Sequence, residues 1–184
     1  MDSLIRHVNQ TDAGAIADIY APFVESSHVT FETTPPDATE MAGRIERTTE
    51  RYPWLVCELD EDILGYAYAS SFHERTAYQW TATVSVYVSP PAQRQGIAQQ
   101  LYAALFSVLE RQGVRSAIAI IALPNPESVA FHEQMGFERV ASFENVGYKH
   151  GTWHDVGHWQ RTIRTQTDDP EPFVPVSELE SLSD

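Results

Sequence analysis

The segment VSVYVSPPAQRQGIA, residues 84–98, is the most informative part of this 184-residue sequence. An apolar strand pattern ends at the two prolines, and a helical pattern then opens near Gly96. The first turn of a helix leaves several backbone N–H groups without partners, and such a terminus suits a phosphate or a pyrophosphate. Gly96 lets the backbone approach that ligand without a Cβ in the way. The segment therefore indicates a phosphate-binding loop.

A second interpretation of the same segment is a loop that merely starts a helix. The segment lacks the lysine of the nucleotide pattern GxxxxGK[ST], and it lacks the glycines of the dinucleotide pattern GxGxxG. On these residues alone, both interpretations stay open.

Hydrophobic periodicity on either side of this segment predicts the element order βααβββαβαββ. The order indicates one α+β domain without internal repeats. The predicted strands cover residues 4–8, 54–59, 63–71, 80–88, 117–123, 140–149 and 154–163. The predicted helices begin at Thr11 or Asp12, at Asp37, near Gly96 and at Glu127.

Composition excludes several classes of protein. The chain has 26 acidic and 12 basic residues, a formal net charge of −14, so nucleic acid and anionic membranes are poor partners. The longest apolar run, residues 117–123, is too short to span a bilayer, which takes about 20 residues. The sequence MDSLIRHVNQ has no apolar stretch typical of a secretory signal. Cys57 is the only cysteine, which fits a reducing cytoplasm.

The basic residues are skewed, because Lys149 is the only lysine beside eleven arginines. An acidic chain with almost no lysine predicts a halophilic protein, since concentrated salt screens charge repulsion. A GC-rich genome is the alternative explanation. Residues 165–184, TQTDDPEPFVPVSELESLSD, carry six acids, three prolines and no base, which predicts an acidic C-terminal tail after a domain at residues 1–164.

Several segments together resemble one known family. VYVSP and QRQGIA look like the acetyl-CoA-binding motif of the GNAT N-acetyltransferases. RYPWLV (51–56), AYQWTA (77–82), LPNPESVAFHEQMGF (123–137) and GYKHGTWHDVGHWQ (147–160) resemble the phosphinothricin N-acetyltransferase subfamily. The resemblance spans residues 4–163 and implies one GNAT-fold domain. Its mixed, mostly antiparallel central sheet is flanked by helices and has splayed central strands. The resemblance gives the acidic tail no counterpart.

The resemblance also implies which residues bind acetyl-CoA as cosubstrate. Amides of the central strand hold the pantetheine arm and polarise the thioester carbonyl, the following loop holds the pyrophosphate, and an asparagine after the next strand contacts the cofactor. The corresponding residues are Val86, Tyr87 and Val88 in the strand, Gln93, Arg94, Gln95, Gly96, Ile97 and Ala98 in the loop, and Asn125.

One position departs from the family at the catalytic centre. Thr83 stands where phosphinothricin acetyltransferases usually carry the glutamate that is the presumed base. A threonine hydroxyl does not accept a proton near neutral pH, although it can hold a water molecule. His132 occupies the position of the family's other catalytic candidate, and an ordinary imidazole can relay protons in either direction. A packed structural histidine is the alternative for His132.

Four residues fall where the resemblance places the substrate. Arg75 corresponds to an arginine that grips the substrate carboxylate, and its guanidinium fork suits that group. Phe31, Tyr78 and Lys149 lie in segments that line the pocket in relatives, often across a dimer. The alternatives are a solvated surface arginine at position 75 and ordinary packing at Phe31 and Tyr78.

A competing metal signal fails on geometry. His150, His154 and His158 are spaced by four, but the glycines among them and the resemblance place them in a turn and a strand. On one strand His154 and His158 would lie about 13 Å apart, too far to share a zinc ion. We therefore predict no metal site.

We predict a cytoplasmic protein, and the resemblance implies a homodimer that transfers acetyl from acetyl-CoA to a small-molecule amine. The acceptor is the α-amine of a small amino acid or analogue, such as phosphinothricin, methionine sulfone or methionine sulfoximine, attacking directly in a ternary complex. Thr83 motivates a rival hypothesis, an acyl-CoA-binding protein with weak or no transfer activity. Acetylation of a protein N-terminus or of an aminoglycoside is a second enzymatic alternative, which depends on pocket size.

Overall fold

The computed structural model describes residues 3–165 and 169–179, and within them the predicted element order is confirmed. The strands are β1 (Leu4–His7), β2 (Trp54–Leu59), β3 (Asp62–Ser71), β4 (Thr81–Val88), β5 (Ser116–Ala122), β6 (Glu138–Lys149) and β7 (Thr152–Thr162). The helices are α1 (Ala13–Ser26), α2 (Ala38–Thr49), α3 (Ile97–Arg111) and α4 (Pro126–Gln134). None of the helices in these two ranges has both the length and the hydropathy to cross a bilayer.

The strands form one mixed sheet in the order β1-β2-β3-β4-β5-β7-β6. Strands β4 and β5 run parallel, and the other neighbouring pairs are antiparallel. Parallel neighbours need a crossover connection, which α3 supplies between β4 and β5. The helix that begins at the predicted phosphate loop therefore lies directly beside the one parallel pair of the described sheet.

The two faces of the sheet carry different helices. Helix α3 covers one face, where Leu101, Leu105 and Leu109 recur every four residues and are fully buried against Ala82 and Val84. Helices α1 and α2 cover the opposite face, where they pack on the alternate strand residues that point the other way. A molecule between β4 and β5 therefore meets α3 on one side and α1 on the other.

Side-chain caps set two of the helix starts. The Asp37 carboxylate accepts a hydrogen bond from the Glu40 amide at 2.8 Å, which confirms the predicted start of α2. The Asn125 side chain accepts from the Ser128 amide at 3.2 Å and caps α4. Helix α1 begins at Ala13, slightly later than predicted, because residues 10–12 form a 3₁₀ turn.

The described part of the acidic C-terminal segment lies against the domain. Phe173 packs on Tyr52, and the Arg51 guanidinium lies 5.0 Å from the centre of the Phe173 ring. The buried Gln112 side chain donates to the carbonyl oxygens of Arg51 and Val174. The acidic residues and prolines of this segment predicted a tail. Two apolar residues within it, Phe173 and Val174, make the contacts with the domain. The rest of the predicted tail, residues 166–168 and 180–184, lies outside the described residues.

Candidate functional site

The central strands separate partway along their length. Strand β4 pairs with β5 only from Thr81 to Thr83, opposite Ser116 to Ile118, although β4 continues to Val88 and β5 to Ala122. Past Thr83, the edge of β4 that faces β5 has no strand partner among the residues that the structure describes. The splay expected from the resemblance is therefore confirmed, and it opens a cleft through the sheet.

This cleft has a volume of about 480 Å³ and runs from the splayed strands to the first turns of α3 and α4. Ile120 lies in the middle of β5 between buried neighbours, yet it is 49% exposed and lines the cleft. Apolar surface open at the centre of a sheet is typical of a ligand site. Phe23 of α1 and Val29 of the α1–α2 connection reach the cleft from the opposite face to α3.

Gly96 stands at the start of α3 with a φ of +81°, in the left-handed region that disfavours a side chain. A Cβ at this position would have no heavy atom nearer than 3.8 Å, so the protein itself leaves the space above Gly96 open. The unpaired amides of the first turn of α3 face this end of the cleft. Backbone conformation, open space and free donors together suit a pyrophosphate.

The residues predicted to bind acetyl-CoA lie together in the structure. All of them except Gln95 line the cleft, and the Gln95 side chain instead donates to the Pro91 carbonyl oxygen at 3.2 Å. Asn125 lines the cleft while its side-chain oxygen caps α4. Arg94 is 88% exposed and lies 3.5 Å from the Glu127 carboxylate, an exposed ion pair that adds little stability.

His132 lines the cleft, but both of its ring nitrogens have partners. Nδ1 lies 2.8 Å from the Ser128 carbonyl oxygen, and a carbonyl only accepts, so this nitrogen carries the hydrogen. Nε2 is then the acceptor for the Tyr102 hydroxyl at 3.0 Å. Burial lowers the pKa of His132, against the opposing effect of the Ser128 carbonyl. His132 is therefore neutral at pH 7 and can accept a proton but not donate one from Nε2.

Tyr102 is a cleft residue that the sequence analysis missed. It lies on α3, has no exposed surface, and burial raises the pKa of its hydroxyl. Its helical spacing predicts a buried position. The hydrogen bond to His132 has no sequence signal, because it joins residues thirty positions apart on two helices.

Thr83 is the last residue of β4 that pairs with β5, so it lies where the two strands part. It alternates with Ala82 and Val84, which pack under α3, and so it points to the face covered by α1 and α2. The cleft lining on β4 begins at the next residue, Val84, and does not include Thr83.

The predicted substrate residues fall in two places. Arg75 and Tyr78 flank the short turn before β4, are exposed, and do not line the cleft. Phe31 packs closely over Gly147, where a Cβ would overlap its ring. Lys149 is buried and donates to the Thr30 carbonyl oxygen at 2.8 Å, and burial lowers the pKa of its ammonium group. The structure thus brings Phe31 and Lys149 together through the α1–α2 connection.

Comparison with known proteins gives consistent matches. Residues 5–158 match the acetyltransferase (GNAT) domain family. The chain is 41% identical over 175 residues to the phosphinothricin N-acetyltransferase of Streptomyces viridochromogenes, covering 95% of each chain. It is 29% identical over 157 residues to the L-methionine sulfoximine/L-methionine sulfone acetyltransferase of Salmonella typhimurium, covering 85% of this chain and 92% of the relative.

A solved structure is similar over nearly the whole length. It is a GNAT superfamily phosphinothricin acetyltransferase from Sinorhizobium meliloti in complex with AcCoA, with a TM-score of 0.86 and 34% identity, covering 96% of this chain and 99% of that one. The Streptomyces match covers too much of this chain to end before residue 165. Part of the acidic segment therefore lies within the match to this relative.

Proposed function

The chain belongs to the GNAT acetyltransferase family and is an N-acetyltransferase, and from that premise we propose that it acetylates the α-amine of a small amino acid or analogue. The names of two relatives point to acceptors of the phosphinothricin, methionine sulfone and methionine sulfoximine type. The observation that carries the proposal is the cleft between β4 and β5, which ends at the glycine-started helix α3.

Acetyl-CoA fits the residues that line this cleft. The amides at the start of α3 would hold the pyrophosphate, and Gly96 leaves room for it. The unpaired edge of β4 from Val86 to Val88 would hold the pantetheine arm by hydrogen bonds. Val86 and Val88 pack on the α3 side of the sheet and line the cleft, so their side chains would cover the apolar part of that arm.

The proposed reaction is a direct transfer in a ternary complex. The neutral amine attacks the carbonyl carbon of the thioester, the carbon–sulfur bond breaks, the thiolate gains a proton and the ammonium nitrogen loses one. Amides of β4 aimed at the carbonyl oxygen would stabilise the charge that develops on it. We assign Arg75 to the acceptor carboxylate, as proposed from the resemblance, and Phe31, Tyr78 and Lys149 to the surrounding pocket.

A thiol-release assay over a panel of amines tests this function. We expect CoA release with phosphinothricin, methionine sulfone or methionine sulfoximine, and no release above background without an amine. The panel includes an amino-terminal peptide and an aminoglycoside, which test acceptors of larger size. Tight acetyl-CoA binding by calorimetry, with no CoA release on any amine, would contradict the transferase function. It would support the alternative that Thr83 favours, an acyl-CoA-binding protein.

The working environment is also part of the proposal. We propose a cytoplasmic protein that operates in concentrated salt, because a net charge of −14 with one lysine is best screened there. The same panel measured at low and at molar KCl tests this, since a halophilic enzyme gains activity as salt rises.

We further propose a homodimer formed through the last two strands. Five large apolar side chains of β6 and β7 are between 50% and 60% exposed, and β6 is the edge of the sheet. They are Val140, Phe143, Val146, Tyr148 and Trp153. An exposed apolar surface of this kind is typical of an interface between protein subunits.

Sedimentation in molar salt should therefore give about 41 kDa, twice the chain mass. The variant Phe143→Asp should sediment as a monomer, because it places a charge in the proposed interface. The matched variant Leu4→Asp changes an equally exposed side chain at the opposite edge of the sheet and should stay dimeric. A monomeric wild-type protein at micromolar concentration would contradict the assignment.

A further inference from the structure

The connection between α1 and α2, residues 27–37, lies beside the cleft but outside the sheet. Within the described part of the chain, no backbone–backbone hydrogen bond joins residues 28–36 to another segment. Side chains hold this connection instead. On the helix side, the Tyr20 hydroxyl contacts Thr30, and Arg44 forms an ion pair with Glu32.

On the opposite side, the connection is held mainly by histidines. His28 and His154 stack with ring centres 4.4 Å apart and planes inclined by only 4°. His150 places Nε2 3.3 Å from the Ser27 carbonyl oxygen. The Lys149 ammonium group donates to the carbonyl oxygen of Thr30, three residues further along the chain. Strands β6 and β7 and the turn between them therefore hold both ends of the segment 27–30.

The stacked pair also holds the end of β5. His28 Nε2 donates to the Pro124 carbonyl oxygen at 2.8 Å, and His154 places Nδ1 3.3 Å from the carbonyl oxygen of Leu123. The next residue after His28 is Val29, and the next after Pro124 is Asn125, and both line the cleft. One hydrogen bond thus links two walls of the cleft that come from opposite faces of the sheet.

The position of the His28–Pro124 hydrogen bond indicates which of the two substrates lies beside it. The glycine-started helix α3 approaches the cleft from one face and would hold the acyl donor there. Phe23 and Val29 approach from the other face, which is the side left for the amine. Because both substrates meet at one point, the donor and the acceptor must enter from different faces.

We infer that the His28–His154 stack is a clasp that fixes the α1–α2 connection over the acceptor side of the cleft. The inference rests on the proposed function, since it assigns these histidines to the amine substrate. They are positioning residues, because their ring nitrogens bind backbone carbonyls rather than a substrate. Loss of the clasp frees Val29 and Phe31 to move, and misplaced binding groups weaken acceptor binding while the donor loop at Gly96 is unaffected.

The test is a steady-state comparison of His28→Ala with wild type. The KM for the amine should rise roughly threefold to tenfold, which corresponds to one lost hydrogen bond, and the KM for acetyl-CoA should stay within twofold. His28→Gln keeps a donor near the position of Nε2 and should recover most of the affinity, whereas His28→Phe keeps only the ring and should not. His7→Ala, an exposed histidine on β1, is the control and should match wild type.

A second measurement is independent of activity. Chymotrypsin cleavage after Phe31, followed by mass spectrometry, should become several-fold faster in His28→Ala than in wild type or His7→Ala. If wild type acetylates no amine, the proposed function fails and the cleavage rate alone decides the clasp. An unchanged cleavage rate, or an active His28→Ala enzyme with the wild-type amine KM, would overturn the inference while leaving the proposed function intact.

Discussion

Gly96→Glu is expected to abolish acetyl-CoA binding, with an affinity loss of more than about 100-fold by calorimetry. Position 96 has a φ of +81°, and its Cβ direction is open toward the cleft. A glutamate would place a negative charge where we propose that the pyrophosphate binds, in front of the amides of α3. Charge repulsion, loss of the binding space and strain in the loop all oppose binding, so the effect is large.

Gly136→Glu is the matched control for this variant. Gly136 also has a positive φ, of +84°, and a Cβ there would have no heavy atom nearer than 4.0 Å. It follows α4 and does not line the cleft. The control therefore adds the same backbone strain and the same charge, and it should bind acetyl-CoA as wild type does. Undiminished affinity in a folded Gly96→Glu protein would remove the phosphate-loop assignment.

The donor half of the site was predictable because its information is local. A strand, a turn and a helix start lie within fifteen consecutive residues, so the sequence places the free amides, Gly96 and the edge of β4 without knowledge of the rest of the chain. The order of helices and strands along the chain was predictable for a related reason, since each strand carries its own alternation or apolar run. The structure adds the residue at which β4 and β5 separate, because their pairing ends at Thr83.

The acceptor half was much less predictable because it is assembled from distant segments. His28 and His154 are 126 positions apart in the chain, and the sequence around neither residue predicts that they stack. The docking of Phe173 was missed for a different reason, since acids and prolines around it dominate the local composition. Side chains that meet only through the tertiary fold have no short-range signal.

The proton path combines both kinds of information. The resemblance implies that Thr83 stands where the family carries a glutamate, and the sequence alone gives His132 an ordinary imidazole that can accept or donate a proton. The structure restricts that choice, because Nδ1 is bound to the Ser128 carbonyl and Nε2 faces the Tyr102 hydroxyl. For this tautomer we propose a relay in which the Tyr102 oxygen accepts a proton as the hydroxyl passes its own to His132 Nε2. We therefore expect His132 to act as a base through Tyr102.

His132→Asn and Tyr102→Phe should each lower kcat/KM by roughly 10² or more while leaving acetyl-CoA affinity nearly unchanged. Tyr102→Phe is the sharper variant, because it keeps the buried ring and removes only the hydroxyl. If His132 contacts the amine directly, Tyr102→Phe will keep the wild-type rate while His132→Asn still loses it. That result would contradict the relay through Tyr102 and would support His132 as the base.

The pH dependence follows from the same geometry. Burial lowers the pKa of His132, so the neutral, proton-accepting form persists below the ordinary imidazole range near pH 6.5. The acid limb of the kcat/KM profile should therefore lie below that range in wild type and disappear in His132→Asn. The alkaline rise belongs to the substrate, whose α-amine loses its proton near pH 8, and should survive in both variants.

A carboxylate at position 83, where the resemblance implies the family's glutamate, gives the decisive comparison. Thr83 lies where β4 and β5 part and points to the face that we propose for the acceptor, so we expect the longer side chain of Thr83→Glu to reach toward the amine as a second base. It should raise kcat/KM at pH 7 and recover most of the activity lost in His132→Asn, because either base then suffices. Thr83→Gln has the same size without the charge and should do neither. If all of these variants share the wild-type pH–rate profile, neither residue moves the proton. Catalysis would then rest on orientation and oxyanion stabilisation by the amides of β4 alone.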